Sequence, residues 1–385
     1  MDPHSHLIYL DNAATTFPKP SLVMEEMVRT YSRIGASPGR GSYDLAVQCE
    51  SFVHEVRQQV SNFFGGDNPD RVAFAYNSTD ALNTIILGLI QPGCHVVSSR
   101  LEHNSVLRPL HHLRARGLIT FDLVRFDGNG FIDPQEVADL IKPQTRFVIL
   151  NHVSNVLGTI QPISEVGSIC RDRGIPLVLD ASQSAGLIPI DMQTMHLHAV
   201  AFTGHKALLG PTGIGGLVLR KGIEIQPTRF GGTGIESRSP EHPGAYPYRL
   251  EPGTLNIMGI IGLSAGLRYI AQQGMENIYN HEMSLTRALR DGLASLDRVR
   301  TYCADTLENH LGVLTCNAED VDPEDFAAIL DGDFNIATRS GLHCAPLVHE
   351  DLGTSPRGAL RFSFGPFNSL EDVKAALSAV SAVAK

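Results

Sequence analysis

The chain has 385 residues, of which 43% are hydrophobic and 19% charged, and it carries a formal net charge of −10 at pH 7. This length favours about two domains with large buried cores, and the balanced composition excludes a disordered or fibrous protein. The negative charge disfavours nucleic acid as a partner, no apolar run predicts a membrane-spanning helix, and the first residues lack the pattern of a signal peptide.

Six cysteines are scattered along the chain without CxxC spacing. This spacing argues against a zinc site or a disulfide framework and fits a protein of the reducing cytoplasm. We therefore expect no metal site. We interpret five of the cysteines as small buried hydrophobic residues, whereas the neighbours of Cys344 set it apart.

Short apolar runs alternate with longer amphipathic segments through the middle of the chain. This alternation predicts an α/β fold in which parallel strands are joined by helices. Polar or Gly-rich residues follow each predicted strand, where an open α/β sheet places its ligands. The predicted strands are residues 72–75, 95–98, 147–150, 177–179, 199–202 and 216–219.

Residues 76–80 (YNSTD) follow the first of these strands and open a predicted helix at 81–89. Backbone N–H groups and the hydroxyls of Ser78 and Thr79 at a helix N-terminus can bind a phosphate group. An ordinary helix cap explains the same residues equally well, so this segment alone leaves both interpretations open.

Two further strand ends carry a pair of reactive side chains. Asp180 follows an apolar strand directly, and Lys206 lies about 25 residues further on, after the next strand and beside Gly204. A buried carboxylate needs a partner, and the protonated pyridine nitrogen of pyridoxal phosphate (PLP) would be one. A lysine with room around it can form an imine with an aldehyde. A helix cap and a surface lysine are the alternatives, but the two together favour a PLP site.

From about residue 266 the pattern changes to a smaller α+β unit. Helices are predicted at 264–273 and 276–296, short strands at 312–315 and 360–364, and a last helix at the C-terminus. We therefore predict a large domain of residues 16–265 and a small domain of residues 1–15 and 266–385.

Several motifs occur in order along nearly the whole chain, from about residue 9 to residue 367. They are YLDNAATT (9–16), EHN (102–104), HVSNVLG (152–158), DASQ (180–183), TGHK (203–206) and RSGLHCA (339–345). This set resembles the class V aminotransferase family and, within it, is most similar to the group II cysteine desulfurases and selenocysteine lyases. The resemblance implies a fold type I PLP-dependent transferase with a mostly parallel seven-stranded sheet. It also implies a homodimer with active sites near the subunit interface.

The resemblance implies a role for each matching residue. Lys206 would hold the cofactor as a Schiff base and later shuttle protons, Asp180 would pair with the pyridine nitrogen, and His103 would stack on the ring and act in acid–base steps. Further contacts would be made with the phenolic oxygen and substrate (Asn155, Gln183), with the phosphate (Ser78, Thr79, Thr203, His205), and with the phosphate of the neighbouring subunit's cofactor (Thr254).

Arg361 lies on the polar face of a predicted strand whose other face carries Leu and Phe side chains. An arginine near an active site can bind an α-carboxylate by two parallel hydrogen bonds. A surface ion pair is the alternative. The resemblance assigns Arg361 the substrate carboxylate and places Arg339 in the same pocket.

The sequence around Cys344 favours one of the several reactions that PLP can support. A desulfurase needs a nucleophilic thiol on an exposed or mobile segment near the cofactor. The RxGxHCA pattern identifies Cys344 as that thiol, which would take sulfur from L-cysteine as a persulfide and leave L-alanine. A buried structural cysteine is the alternative. A persulfide on a short loop also makes a sulfur-acceptor protein a plausible partner.

The sequence departs from the usual group II pattern at two places. Leu342 stands where that pattern has His, and residues 349–358 (HEDLGTSPRG) are atypical. We expect these departures to affect the acceptor protein or the sulfur substrate. The readings left open are a selenocysteine lyase or other C–S lyase, a class V aminotransferase acting on another amino acid, and a non-catalytic PLP-binding scaffold.

Overall fold

The computed structural model describes residues 7–39, 41 and 43–384. The sequence-based interpretation of residues 1–6 as lacking a signal peptide, and the assignment of those residues and residue 385 to the small domain, lie outside the described residues. Within the described chain, no helix combines the length and apolarity needed to cross a membrane.

A seven-stranded sheet forms the centre of the structure. The first described strand, β1 (Ile8–Tyr9), lies outside it. The strands of the sheet are β2 (Val72–Ala75), β3 (Cys94–Ser99), β4 (Ile119–Val124), β5 (Thr145–Asn151), β6 (Leu177–Asp180), β7 (Ala199–Thr203) and β8 (Gly215–Leu219). Their order is β2-β8-β7-β6-β5-β3-β4, and only β8 runs antiparallel to its two neighbours. The prediction of an α/β fold with a mostly parallel seven-stranded sheet is confirmed.

The central strands read as continuous apolar runs because both faces of the sheet are covered. In β5, Val148 and Leu150 join the core on one face, whereas Phe147 and Ile149 join the core on the other. All six predicted strands are present. The strand of this sheet that sequence reasoning missed, β4, lies at its edge, where three of its six residues are at least partly accessible.

Seven helices precede or cover this sheet. They are α1 (Ser21–Ile34), α2 (Asp44–Phe63), α3 (Ser78–Leu89), α4 (Asn104–Ala115), α5 (Pro134–Leu140), α6 (Ile163–Asp172) and α7 (Ile257–Gln273). Helix α3 begins directly after β2, with Asn77 as its N-cap, so its N-terminus lies at the sheet edge where β2 ends.

The C-terminal part forms a smaller unit around a third core. Its elements are α8 (Met275–Leu293), β9 (Val299–Thr301), β10 (Val313–Ala318), α9 (Pro323–Phe334), β11 (Ile336–Ala337), α10 (Pro346–Asp351), β12 (Leu360–Ser363) and α11 (Leu370–Val383). Strands β12, β10 and β9 form an antiparallel sheet, and β11 pairs in parallel with β1. The predicted domain division stays a prediction; its boundary at residue 265 falls inside α7, which contacts both α1 and α8.

Candidate active site

Asp180 and Lys206 come from adjacent parallel strands. Asp180 is the last residue of β6, and Lys206 lies three positions beyond the end of β7. Because the carboxyl ends of parallel strands meet at one edge of the sheet, the two side chains line the same cleft. Four other predicted site residues line it with them, namely Ser78, His103, Asn155 and Gln183.

The main chain at Lys206 is fixed by the segment that follows β1. The carbonyl oxygen of His205 accepts hydrogen bonds from the Thr16 N–H (3.1 Å), the Thr15 hydroxyl (3.1 Å) and the Lys19 ammonium (2.5 Å). Three donors on one carbonyl leave the peptide that carries Lys206 little freedom to move. The main chain beside Lys206 is thereby anchored, and the lysine side chain lines the cleft.

The electrostatic environment lowers the pKa of Lys206. Burial lowers its pKa to about 8, and the nearby Arg361 and Arg339 guanidiniums act in the same direction, whereas the Asp180 and Asp11 carboxylates oppose them. A lysine with this pKa is neutral in a substantial fraction of molecules near pH 8, and only the neutral amine attacks a carbonyl carbon.

Asp180 is buried and oriented by its own turn. Its Oδ1 accepts a hydrogen bond from the Ser182 N–H at 2.9 Å and another from the Ser182 hydroxyl. The nearby Gln183 donates from Nε2 to the Ala13 carbonyl at 3.0 Å. These contacts fix both side chains relative to the cleft before any ligand binds.

His103 is the N-cap of α4 and has a defined proton arrangement. Its Nδ1 accepts a hydrogen bond from the Ser105 N–H at 3.0 Å, so the neutral ring carries its proton on Nε2. Burial lowers the pKa of His103, and the positive charge of Lys206 lowers it further. The neutral ring is therefore favoured.

Two polar atoms next to Lys206 are buried without a hydrogen-bond partner in the described chain. They are Oγ1 of Thr203 and Nδ1 of His205, and burial also lowers the pKa of the His205 ring to about 4. Unpaired buried polar atoms are rare unless a ligand or water satisfies them. Ser78, the first residue of α3, faces the cleft from the helix N-terminus, where anions bind favourably. These donors fit a phosphate group.

Two predicted phosphate residues lie apart from the cleft of this chain. Thr79 is exposed on the first turn of α3, and Thr254 is exposed on the wall of a different cavity of about 340 Å³. A bidentate, buried ion pair between Arg57 and Glu251 anchors the segment before Thr254, with N···O distances of 2.7 and 2.6 Å.

Arg361 is fully surrounded by protein, so a surface ion pair does not describe it. Its two terminal nitrogens donate to the Asn155 carbonyl (2.9 Å) and to Oδ1 of Asp11 (2.7 Å). Its Nε has no partner among the residues described, and neither has the Asn155 Oδ1 atom. Arg339, half-exposed, donates from Nε to the other oxygen of Asp11 at 3.1 Å. The site thus keeps one unpaired buried N–H and a net positive charge for an incoming carboxylate.

Cys344 is exposed, whereas Cys49, Cys94, Cys170 and Cys316 are buried and Cys303 is partly so. The turn that carries Cys344 is tied to the cleft: the Asn104 N–H donates to the Cys344 carbonyl and the Asn155 amide donates to the His343 carbonyl, both at 2.7 Å. The thiol therefore sits on a short, anchored segment next to the residues that line the cleft.

Sequence reasoning quoted Asp11 and Glu102 within motifs but assigned them no role. Glu102 is fully buried; its Oε1 accepts from the Ser99 hydroxyl (2.7 Å) and from the Asn151 N–H (2.9 Å), while burial raises its pKa to about 8. The Asp180 charge raises this pKa further, which favours the protonated form of Glu102 at pH 7. The position of Glu102 directly before His103 was the sequence feature that could have indicated a role for it.

Comparisons with known proteins agree on one family. The family model "Aminotransferase class-V" matches residues 8–376. A relative described as a probable cysteine desulfurase from Methanothermobacter thermautotrophicus is 34% identical, with 95% of this chain and 92% of that protein covered. The solved apo structure of a cysteine desulfurase from Thermococcus onnurineus superposes with a TM-score of 0.92 at 36% identity, covering 98% of this chain and 94% of the other. A cysteine desulfurase structure from Escherichia coli, in an S-sulfonic acid form, gives a TM-score of 0.87 at 27% identity, with 98% and 94% covered.

Proposed function

The chain belongs to the class V aminotransferase family, and we propose that it is a PLP-dependent cysteine desulfurase that converts L-cysteine to L-alanine and takes up the sulfur on Cys344 as a persulfide. The observation that carries this proposal is the placement of Cys344. It is the exposed cysteine of the described chain, and its turn is hydrogen-bonded to Asn104 and to Asn155, a residue of the Lys206 cleft.

The residues of the cleft fit the cofactor. Lys206 would hold its aldehyde carbon, Asp180 its pyridine nitrogen and His103 its ring face. The phosphate would be bound by Ser78, Thr79, Thr203 and His205, with Thr254 reaching it from a second copy of the chain. Bound there, pyridoxal phosphate supplies an electron sink that weakens bonds at the α- and β-carbons of an amino acid.

Substrate binding is the task of the two arginines. Arg361 offers its unpaired Nε, and the net positive charge around Asp11 favours one carboxylate of L-cysteine. The neutral fraction of Lys206, set by its lowered pKa, then accepts and returns protons at the substrate carbons. Asn155 holds the substrate side of the cleft and, through the His343 carbonyl, the turn of the sulfur acceptor thiol.

Sulfur transfer uses the thiolate of Cys344. It attacks the substrate sulfur, so that an S–S bond forms while the Cβ–S bond breaks. The electron pair of the broken bond stays with the substrate carbon, which takes up a proton and leaves as L-alanine. The persulfide then passes to an acceptor protein that docks over the short Cys344 segment.

We further propose that the protein works as a homodimer in the reducing cytoplasm, where its cysteines stay free. Thr254, exposed on a segment anchored by Arg57 and Glu251, supports a site completed by the second copy.

Product analysis with L-cysteine tests the function. With dithiothreitol present to reduce the Cys344 persulfide and release its outer sulfur as sulfide, wild-type protein should give alanine and sulfide in equal amounts. Cys344→Ala should lose turnover while keeping the visible absorbance of bound cofactor. A selenocysteine lyase would turn over selenocysteine in the variant, and an aminotransferase would need an α-keto acid. Pyruvate and ammonia in place of alanine, or a Cys344→Ala variant equal to wild type, would overturn the proposal.

A further inference from the structure

A pair of buried histidines lies beneath the Cys344 turn. His343, next to Cys344, and His349, on α10, are stacked with ring centroids 5.4 Å apart. Nδ1 of His343 lies 3.2 Å from Nε2 of His349. The outer nitrogens also have partners: His349 Nδ1 lies 2.8 Å from the Thr354 hydroxyl, and His343 Nε2 lies 3.3 Å from the Arg339 carbonyl.

Only one assignment of donors and acceptors satisfies all three of these hydrogen bonds. A carbonyl oxygen only accepts, so the proton of neutral His343 is on Nε2, and its Nδ1 must accept. His349 therefore donates from Nε2, and its own Nδ1 accepts from the Thr354 hydroxyl. Burial lowers the pKa of His349 to about 4 and that of His343 well below its usual range, so both rings are neutral as this arrangement requires.

The turn that these histidines support is strained. His343 and Cys344 have φ values of +49° and +57°, in the left-handed region that non-Gly residues avoid. Such residues carry a conformational penalty and persist only where their surroundings fix them. Both side-chain nitrogens of His343 and the carbonyls of both residues are hydrogen-bonded. These four contacts define the conformation of the segment that carries the thiol.

The two departures from the usual group II pattern are related by this arrangement. That pattern has a second His at position 342, where this chain has Leu342. The second histidine here is His349 on α10, and the atypical segment 349–358 also supplies its partner Thr354, three residues beyond the end of that helix.

We propose that His349 is a positioning residue for sulfur transfer: by donating to His343, it holds Cys344 in the left-handed turn beside the cleft. The inference rests on the proposed function for its catalytic consequence, but the hydrogen-bond relay Thr354–His349–His343–Arg339 is a property of the chain itself. The proposal predicts that turnover depends on the Nε2 hydrogen-bond donor of residue 349 more than on the size of its side chain.

Three variants of the cofactor-loaded protein test the proposal. His349→Gln keeps an Nε2 donor, His349→Leu keeps apolar bulk without a donor, and Thr354→Val removes only the hydroxyl that orients His349. Val348→Ala is the matched control, because Val348 is buried on the same helix but contributes no atom to the relay. Turnover of L-cysteine and amide hydrogen exchange at Asn104 and at residues 342–345 are measured for each.

His349→Leu should lower kcat about tenfold or more while KM for L-cysteine stays within about twofold, because the thiol is misplaced while the guanidinium groups of Arg361 and Arg339 take no part in the relay. Exchange at the Asn104 amide, whose acceptor is the Cys344 carbonyl, should become faster. Thr354→Val should show a smaller change in the same direction. His349→Gln should recover most of the loss, and Val348→Ala should lower stability without the selective fall in kcat.

Equal defects in the Gln and Leu variants, or unchanged exchange and kcat in both His349→Leu and Thr354→Val, would overturn the role of the relay. Hydrogen exchange separates this failure from failure of the proposed function. If wild type does not desulfurate L-cysteine, the exchange comparison still decides whether the relay holds the turn.

Discussion

Asp11 and Arg361 form a buried ion pair between residues 350 positions apart, with 2.7 Å between Oδ1 and the guanidinium nitrogen. Arg361 is 2% exposed and lies on β12, whereas Asp11 follows β1. The same carboxylate also pairs with Arg339, whose side chain is 47% exposed. One acid thus serves a fully buried arginine and a half-exposed one.

Asp11→Ala should therefore destabilise the protein far more than Arg339→Ala. Removing Asp11 leaves the buried charge of Arg361 uncompensated, which costs about 3–5 kcal/mol. The exposed partner contributes less than about 1 kcal/mol. Urea denaturation of both variants at the same pH gives the comparison. Equal losses of unfolding free energy would mean that Arg361 does not depend on Asp11.

Most residues that line the cleft could be predicted from local sequence patterns. Asp180 and Lys206 follow apolar strands, and the rule that ligands bind at the carboxyl ends of parallel strands predicts that they meet. Their shared cleft with Ser78, His103, Asn155 and Gln183 agrees with the family motifs. The strands themselves were predictable because burial on both faces gives continuous apolar runs.

Side-chain contacts between segments far apart in the sequence could not be predicted from such local patterns. Nothing local to Asp11 indicates that its carboxylate bridges Arg361 and Arg339, since those partners come from the far end of the chain. His349 likewise lies in an atypical segment, and only its packing beneath His343 gives it a role. The roles of the individual site residues stay predictions, Thr79 and Thr254 among them, since both are exposed and neither lines the cleft.

Glu102→Gln should change the pH dependence of stability in a defined direction. Burial raises the Glu102 pKa from 4.5 to about 8, so the folded state holds a proton that the unfolded state releases above pH 4.5. The stability contributed by this group is therefore present below pH 4.5 and is lost as the pH rises to about 8. Relative to wild type, the Gln variant should become more stable across this interval and level off above it.

Gln is a close match in shape, and its oxygen can still accept from Ser99 and Asn151 as Oε1 does. Urea denaturation of wild type and Glu102→Gln at several pH values between 4.5 and 9 measures the difference, and groups common to both proteins cancel. A difference that stays constant with pH would show that Glu102 is ionised in the folded protein.

Thr254 should complete the active site of the second subunit rather than its own. The test mixes two variant chains, Thr254→Ala and Lys206→Ala, into hybrid dimers that carry separable affinity tags. If Thr254 reaches across, the hybrid contains one site with Lys206 from one chain and Thr254 from the other, both intact. That site should bind the cofactor as tightly as wild type, whereas Thr254→Ala homodimers should release it more readily.

The alternative arrangement gives the opposite outcome. If Thr254 acted within its own chain, the only site with Lys206 would lack Thr254, and the hybrid would release the cofactor like the Thr254→Ala homodimer. Cofactor retention after dialysis, read by visible absorbance per dimer, distinguishes the two. Because Thr254 is exposed and lies outside the cleft that contains Lys206, we expect complementation and hence a dimer whose subunits cannot bind the cofactor fully alone.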